Sequence, residues 1–529
     1  MLQNARRAGA SRIEIEKLAT ERGPILTVRD DGRGIADPAK FLTLGDSGWD
    51  ASIARSEDPA GMGVFSLAGR HVTVRSRPVD STEGWQVTIP PEAWESSLPL
   101  DVVPAEIVQG TEIDIDLPDG WVPHLDSAVK SAATYFPLPV VFDGVMQARS
   151  DFLQGAERVE DWGGCRIGVF KNAIRGDRVR MNFHGLTVPC KLPYAHDAEG
   201  GDGWDVRVEI VDAPDLQLVL PARKEMVEGA ALDALRVACE AAIYRTIARK
   251  GHHRLPFKSW QRARDLGILL PEASPWLDEW CPRAADDDAV MRGDRIAGEP
   301  MIILPYEDAH IEQCMGRAIG TGGLCGAKPV RPVDAFKGYA WYDALPRVFA
   351  PNFRIARGEE RIDYDGKRER PHELESGHVD GLTLELAVQD SGDPLATIEV
   401  IELPVDVVIA PGDIWAGLGE TSILLGPDCA IAPADLAWLI EAACFCPGDD
   451  SNDDSYETQQ CRFEIEARFI ANNLLLGEDA ALLARVRDAM IEHVTWLVPT
   501  GRSVSVAAND WTVEVAFADN DPGPLPAAA

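Results

Sequence analysis

Along the first third of the chain, apolar and polar positions trade places over short runs. Arg12-Ile13-Glu14-Ile15, His71-Val72-Thr73-Val74-Arg75-Ser76, Trp85-Gln86-Val87-Thr88-Ile89 and Gly110-Thr111-Glu112-Ile113-Asp114-Ile115-Asp116 have the period of two that predicts half-buried strands. Ile25-Leu26-Thr27-Val28 is an apolar, β-branched run of the same length class. Met1 to Ala10 reads as the end of a helix stopped by Gly9, and Val64 to Ala68 as the start of another. Strands interleaved with one or two helices over residues 12 to 117 predict an α/β sandwich.

Two further regions follow. Residues 118 to 255 predict a strand into a turn at Tyr135 to Gly144, strands at Asp205 to Val211 and Leu216 to Leu220, and a helix from about Gly229 to Lys250 whose Leu232, Leu235, Ala238, Ala242 and Ile243 share a face. Residues 256 to 300, rich in Trp, Pro and acid, read as linker or surface loop. From 301 to 529 the pattern predicts an α+β region. Its strands fall at Met301 to Leu304, Leu382 to Val388, Ile398 to Leu403 and Trp511 to Phe517, its helices at Ala432 to Phe445 and Asp479 to Leu497. The acidic stretch 449–454 reads as a loop and the tail from Pro522 as disordered. No internal repeat is evident.

The chemistry concentrates in the first region. An acid, Asp30, ends the Ile25 strand, where it is fixed in place and can accept a hydrogen bond from an exocyclic amine. Gly32 and Gly34 let the backbone turn tightly and approach a flat base. A second pair, Gly61 and Gly63, precedes Ser66 at a helix start, where unpaired N–H groups favour phosphate. Asn4, on the N-terminal helix one layer away, is placed to hold a magnesium ion, and the Thr111 hydroxyl can join a base pocket. Together these residues describe a nucleotide pocket; glycines serving turns alone would not explain all four groups.

In this order, Asn4, D-x-G-x-G (Asp30, Gly32, Gly34), G-x-G-x-x-S (Gly61, Gly63, Ser66) and Gly110-Thr111 resemble the GHKL superfamily of ATPases: gyrase, heat-shock chaperones, histidine kinases and MutL. The resemblance covers roughly the first 117 residues. It implies that Asp30 binds the adenine amino group, that Asn4 binds magnesium, that Gly45 to Ala60 form a lid and that Gly61 to Ser66 wrap the phosphates. The region 118–255 resembles the ribosomal-protein-like transducer domain of chaperones and MutL, in which a basic residue reaches back to the terminal phosphate; Arg223 and Lys224 are the candidates here, against an ordinary helix-start charge pair. Further domains after the ATPase fit a chaperone-like or MutL-like member rather than a histidine kinase, and nothing in the later half suggests a topoisomerase.

Two departures stand out. The family's general base, a glutamate four residues before the asparagine, would fall just before Met1, so the start is read as called inside a longer gene, or the chain as a truncated paralogue. The chain as given is then expected to bind ATP and hydrolyse it poorly. Arg7 occupies a position where the chaperones carry an aspartate.

Composition narrows the partners. A net charge of −35 over 529 residues opposes general affinity for nucleic-acid phosphates. No uninterrupted apolar span or signal peptide is present, which predicts a cytoplasmic protein without a membrane partner. Ten scattered cysteines fit reduced thiols rather than a disulfide framework. Three features of the later half invite sharper readings. His310, Cys314 and Cys325 lack a completing ligand pair for zinc, Gly316 to Gly323 with Lys328 reads as a flexible loop rather than a phosphate loop, and Cys444, Cys446 and Cys461 fit a redox site and a buried helix end equally well.

The sequence thus predicts a Bergerat-type α/β sandwich ATPase domain at 1–117, a transducer-like α/β domain at 118–255, a linker at 256–300 and an α+β region of unassigned role at 301–529. Its partners are ATP with magnesium and an unnamed protein client, with a homodimer as an open assembly. The alternative is a non-catalytic nucleotide-dependent switch or scaffold.

Overall fold

The computed structural model describes residues 1–21, 23–41, 64–95, 99–172, 179–219, 224–286, 293–366, 375–389, 398–412, 417–448, 454–509 and 511–518. The lid segment, Gly61, Gly63, Arg223 and most of the acidic stretch 449–454 lie outside them. The fold is mixed α+β, with large, mainly antiparallel sheets, in two units, Met1–Ser274 and Pro275–Ala529.

The first unit opens with the helix Leu2–Arg7 and an eight-stranded sheet. Its strands are β1 (Ile13–Thr20), β2 (Gly23–Asp30), β3 (Val72–Arg77), β4 (Gly84–Ile89), β5 (Val102–Ala105), β6 (Gly110–Asp116), β7 (Val140–Phe142) and β8 (Val145–Met146), in the order β5-β4-β3-β6-β2-β1-β7-β8. Every pairing is antiparallel except that of β1 with β7. The sheet therefore takes in strands well beyond residue 117. The predicted helix at Val64 is a 3-10 turn, Val64–Leu67.

Period-two patterning gives this sheet two unlike faces. On one, Ile13, Ile15, Val28, Val72, Val74 and Ile115 are all buried, packed with residues of the N-terminal helix and the helix Leu125–Thr134 or with Leu67 and Trp85. On the other, Glu14, Arg29, Glu112, Arg75 and Gln86 stand in one cross-strand row. Their charges alternate: Arg29 reaches Glu112 at 2.6 Å, and Arg75 reaches Glu112 at 2.6 Å and Asp114 at 2.7 Å. Opposite charges directly across strands favour this pairing, and like charges would oppose it.

A second sheet follows, of six strands: β9 (Arg158–Trp162), β10 (Cys165–Lys171), β11 (Val179–Phe183), β12 (Leu186–Pro189), β13 (Tyr194–His196) and β14 (Gly203–Ile210). The helix Ala230–Ala248 buries Leu232, Leu235, Cys239, Ala242 and Ile243 against it. Two expectations need correction. Leu216 to Leu220 is not a strand among the described residues; Leu218 makes an isolated bridge to Met226, with Val219 N–H to the Glu225 carbonyl and Val227 N–H to the Gln217 carbonyl, a pairing too short to count as a strand. Residues 256 to 300 are more than linker, since the helix Phe257–Asp265 packs Ala263 into the second-sheet core and Trp276–Asp278 pairs with Arg295–Ala297.

The second unit is built on another six-stranded sheet, including Met301–Ile303, Arg347–Arg357, Gly381–Gln389 and Ile398–Pro404, with the helices Ala309–Gly322 and Pro433–Cys444 in its core. Gly316 to Gly322 are thus helical, correcting the loop reading. Ile311, Cys314, Met315 and Ala318 form a buried helical stripe, and that stripe outweighs the glycines' low propensity. Among the described residues no helix is long and apolar enough to cross a membrane.

Gly110 fixes the central register. With φ at +115°, a Cβ there would lie 1.9 Å from the Asp30 carbonyl oxygen. Gly110→Ala is expected to destabilise the first unit by roughly 2–4 kcal/mol, read from its urea unfolding midpoint, whereas Gly120→Ala, with open space around it, stays within about 0.5 kcal/mol.

Candidate functional site

The register that pairs β2 with β6 and β6 with β3 lines up four residues on the buried face: Ile13, Asp30, Thr111 and Ser76. Asp30 closes β2, at the boundary between dry core and the loop that follows. Thr111 is 7% exposed and Ser76 is fully buried, so this polar row ends an otherwise apolar face. Thr111 and Ser76 share a hydrogen bond of 3.2 Å between hydroxyls. Ser76 also donates to the Gly110 carbonyl at 2.9 Å and accepts from the Ile35 N–H at 2.8 Å.

Burial pushes the Asp30 carboxyl above the usual range, and the neighbouring Asp31 adds to this, while the N–H groups of Gly32 and Thr111 pull the other way. The Gly32 N–H donates to Asp30 Oδ1 at 3.0 Å, so one carboxylate oxygen is held while the group keeps capacity to accept from a ligand amine. A raised value means that acceptor strength is lost on acidification sooner than for an ordinary aspartate. The same shift makes the folded form gain relative stability as pH falls through it. Desolvation pushes the carboxyl of exposed Asp31 up, yet the Ser11 hydroxyl and the N–H groups of Ser11 and Arg12 hold it below the usual range, tying the start of β1 to the end of β2.

The glycines of D-x-G-x-G turn the chain tightly, and the space a Cβ would fill at each is taken by other protein atoms. Gly32 lies against the N-terminal helix, where a Cβ would meet the Ala8 Cβ at 2.7 Å and the Ala8 carbonyl at 2.9 Å. Gly34 takes φ +71° with the Arg77 carbonyl 2.3 Å from any Cβ. The loop is pinned by Arg33 N–H to the Ala8 carbonyl, by Val79 N–H to the Arg33 carbonyl and by the Trp85 indole to the Ile35 carbonyl.

Asn4 is exposed on the N-terminal helix. Its side-chain oxygen accepts from Arg7 Nη1 at 3.3 Å, and Arg7 is only 7% exposed. An ion on that oxygen would share it with, or displace, the Arg7 contact. The neighbouring Gln3 donates to the His184 carbonyl, in the turn between β11 and β12, at 2.7 Å, joining this helix to the second sheet.

The remaining expectations fall unevenly. Ser66 is exposed in its 3-10 turn and Lys224 is exposed ahead of the helix Ala230–Ala248, while Gly61, Gly63 and Arg223 lie outside the described residues. A cleft of about 500 Å³ is lined by Asp30 and Asp31 together with Glu14, Arg29, Arg75 and Glu112, so it opens on the charged face of the sheet and reaches the end of β2; Asn4, Gly32, Gly34 and Thr111 do not line it. In the second unit, burial pushes the Cys314 and Cys444 thiols up to about 12, and His310 is hydrogen-bonded to Tyr364 at 2.9 Å. No metal-binding group of three ligands occurs among the described residues.

Sequence reasoning missed Ser76 and Gln3. A serine at a core-facing place in Val72-Thr73-Val74-Arg75-Ser76 was the available signal for the first; nothing in sequence pointed to the second. Ser76→Ala strips an acceptor from the Ile35 N–H, and is expected to cost about 1–3 kcal/mol. Hydrogen exchange should quicken most at Ile35; unchanged protection there would contradict this role.

No protein-family model matches the chain, and no curated protein matches it. Among solved structures it is similar to the Aquifex aeolicus MutL ATPase domain complexed with ADP, at 15% identity and a TM-score of 0.25 over 40% of this chain and 90% of that one. It is similar to the ATPase region of Saccharomyces cerevisiae topoisomerase II at 9% identity and a TM-score of 0.32, over 43% and 76% of the two chains. The N-terminal domain of a DNA repair protein shares 12% identity at a TM-score of 0.30, over 47% and 92%. Values this low leave any functional reading resting on the motifs and the row of side chains they build. The solved structures to which the chain is similar include ATPase regions of the GHKL superfamily, the one its motifs resemble.

Proposed function

We propose that this chain binds ATP in the manner of the chaperone-like and MutL-like ATPases, with residues 1–117 holding the nucleotide and residues 118–255 acting as a transducer. The observation that carries the reading is the row Asp30–Thr111–Ser76 on the dry face of the sheet, beside the Gly32–Gly34 turn. A carboxylate with a hydroxyl neighbour at the end of an apolar face is placed to accept from an exocyclic amine.

Bound nucleotide would bias the position of the N-terminal helix, and the Gln3–His184 hydrogen bond gives that helix a link to the second sheet. Arg223 and Lys224 remain the candidates for sensing the terminal phosphate. No residue of this chain is assigned to phosphate cleavage, so the proposal is binding with a change of shape. The scattered spacing of the ten cysteines fits reduced thiols, and a cytoplasmic setting is part of this reading. Residues 301 to 529 would supply the client or partner specificity.

Asp30→Asn replaces a charged acceptor by a neutral amide. It is expected to weaken ATP binding by at least about tenfold, measured by filter binding of radiolabelled ATP with ADP formation read from the same samples. Equal binding by the two proteins would sink the proposal.

A further inference from the structure

In the second unit the strands Ser503–Asn509 and Thr512–Ala518 pair antiparallel and form a sheet of their own. Their register sets Val504 opposite Phe517, Val506 opposite Val515 and Ala508 opposite Val513, so alternation gathers these six apolar side chains on one face. Ser505, Asn509, Thr512 and Glu514 stand on the other. No described position in either strand is buried, and Val513, Val515 and Phe517 are 65%, 66% and 56% exposed. A two-stranded hairpin is marginal in water unless such a face is covered. Asp519 to Ala529, with three prolines and Leu525 as the one large apolar residue, offer no apolar run to lay against it.

From this geometry we propose that the hairpin is a docking surface for a second copy of the chain, its apolar face packed against the same face of the partner about a two-fold axis. The six side chains carry no charge and no hydrogen-bonding group, so their complement is another flat apolar surface. A pleated face of valines meets that need in its own copy, the two hairpins forming the layers of an aligned sandwich. The face presents about 400 Å² of apolar surface, the size of the largest patch on an ordinary monomer. Leu482, Leu483 and Val486 on the helix Glu478–His493, and Trp496 after it, are each more than half exposed. They bring this stretch to roughly the 800 Å² that each partner of a stable dimer contributes. The inference is independent of the nucleotide reading.

The test is sedimentation equilibrium of the full chain over a dilution series without nucleotide, for the parent, Val515→Glu and Ala516→Glu. Residues 515 and 516 are neighbours on opposite faces of one strand, so the two variants add the same charge to the same hairpin and differ only in which face carries it. The parent is expected to be dimeric, Val515→Glu to dissociate at least about tenfold more readily, and Ala516→Glu to stay within about threefold of the parent. Retention of the dimer by Ala516→Glu shows that the loss at 515 is not unfolding of the hairpin. A parent that is monomeric throughout the series, a Val515→Glu chain that dimerises as tightly as the parent, or equal weakening by both variants overturns the proposal.

Discussion

The chemistry of the first unit depends on the register between β2 and β6, which sets Asp30 opposite Thr111. Side chains alternate faces along a strand, so a slip of one residue would send Asp30 into the charged row and bring Arg29 onto the dry face. Two things prevent it. Burial of Val28, Val74 and Ile115 contributes roughly 1.5–3 kcal/mol for each side chain, and the close approach of Gly110 to the Asp30 carbonyl leaves no room for a different pairing.

The opposite face contributes differently. The Glu14–Arg29–Glu112–Arg75 row is half exposed, and pairs of that kind are worth about 0–1 kcal/mol each. The alternating signs fit this register, but the acids of β6 recur at Glu112 and Asp114, so the charged row alone would also accept a shift by two. The apolar face and Gly110 therefore set the register that delivers Asp30 to the end of a dry surface.

Much of this could be read from the residues. Period-two runs located β3, β4 and β6 closely, and the buried stripe of Leu232, Leu235 and Ala242 located the helix Ala230–Ala248. The helix Tyr456–Leu476 was not foreseen, since its buried positions are few, Ala467 and Ala471 alone, and it carries too weak an apolar stripe to stand out. The same limit applied to Gly316 to Gly322, where local propensity pointed one way and long-range packing decided the other. At the site, Asp30, Gly32, Gly34 and Thr111 were legible because each is a residue type with a specific backbone or hydrogen-bonding duty. Ser76 joins them only through strand pairing, which spacing along a single strand does not reveal.

The central claim is that Asp30 reads an exocyclic amine. Comparing the affinities of ATP and inosine triphosphate tests it most directly, because the two differ at the base position where ATP offers an amino group and inosine triphosphate a carbonyl. The account predicts that the parent chain prefers ATP by about tenfold or more, the scale of losing one charge-assisted hydrogen bond, and that Asp30→Asn removes most of that preference. Equal affinity of the parent for both nucleotides would contradict it.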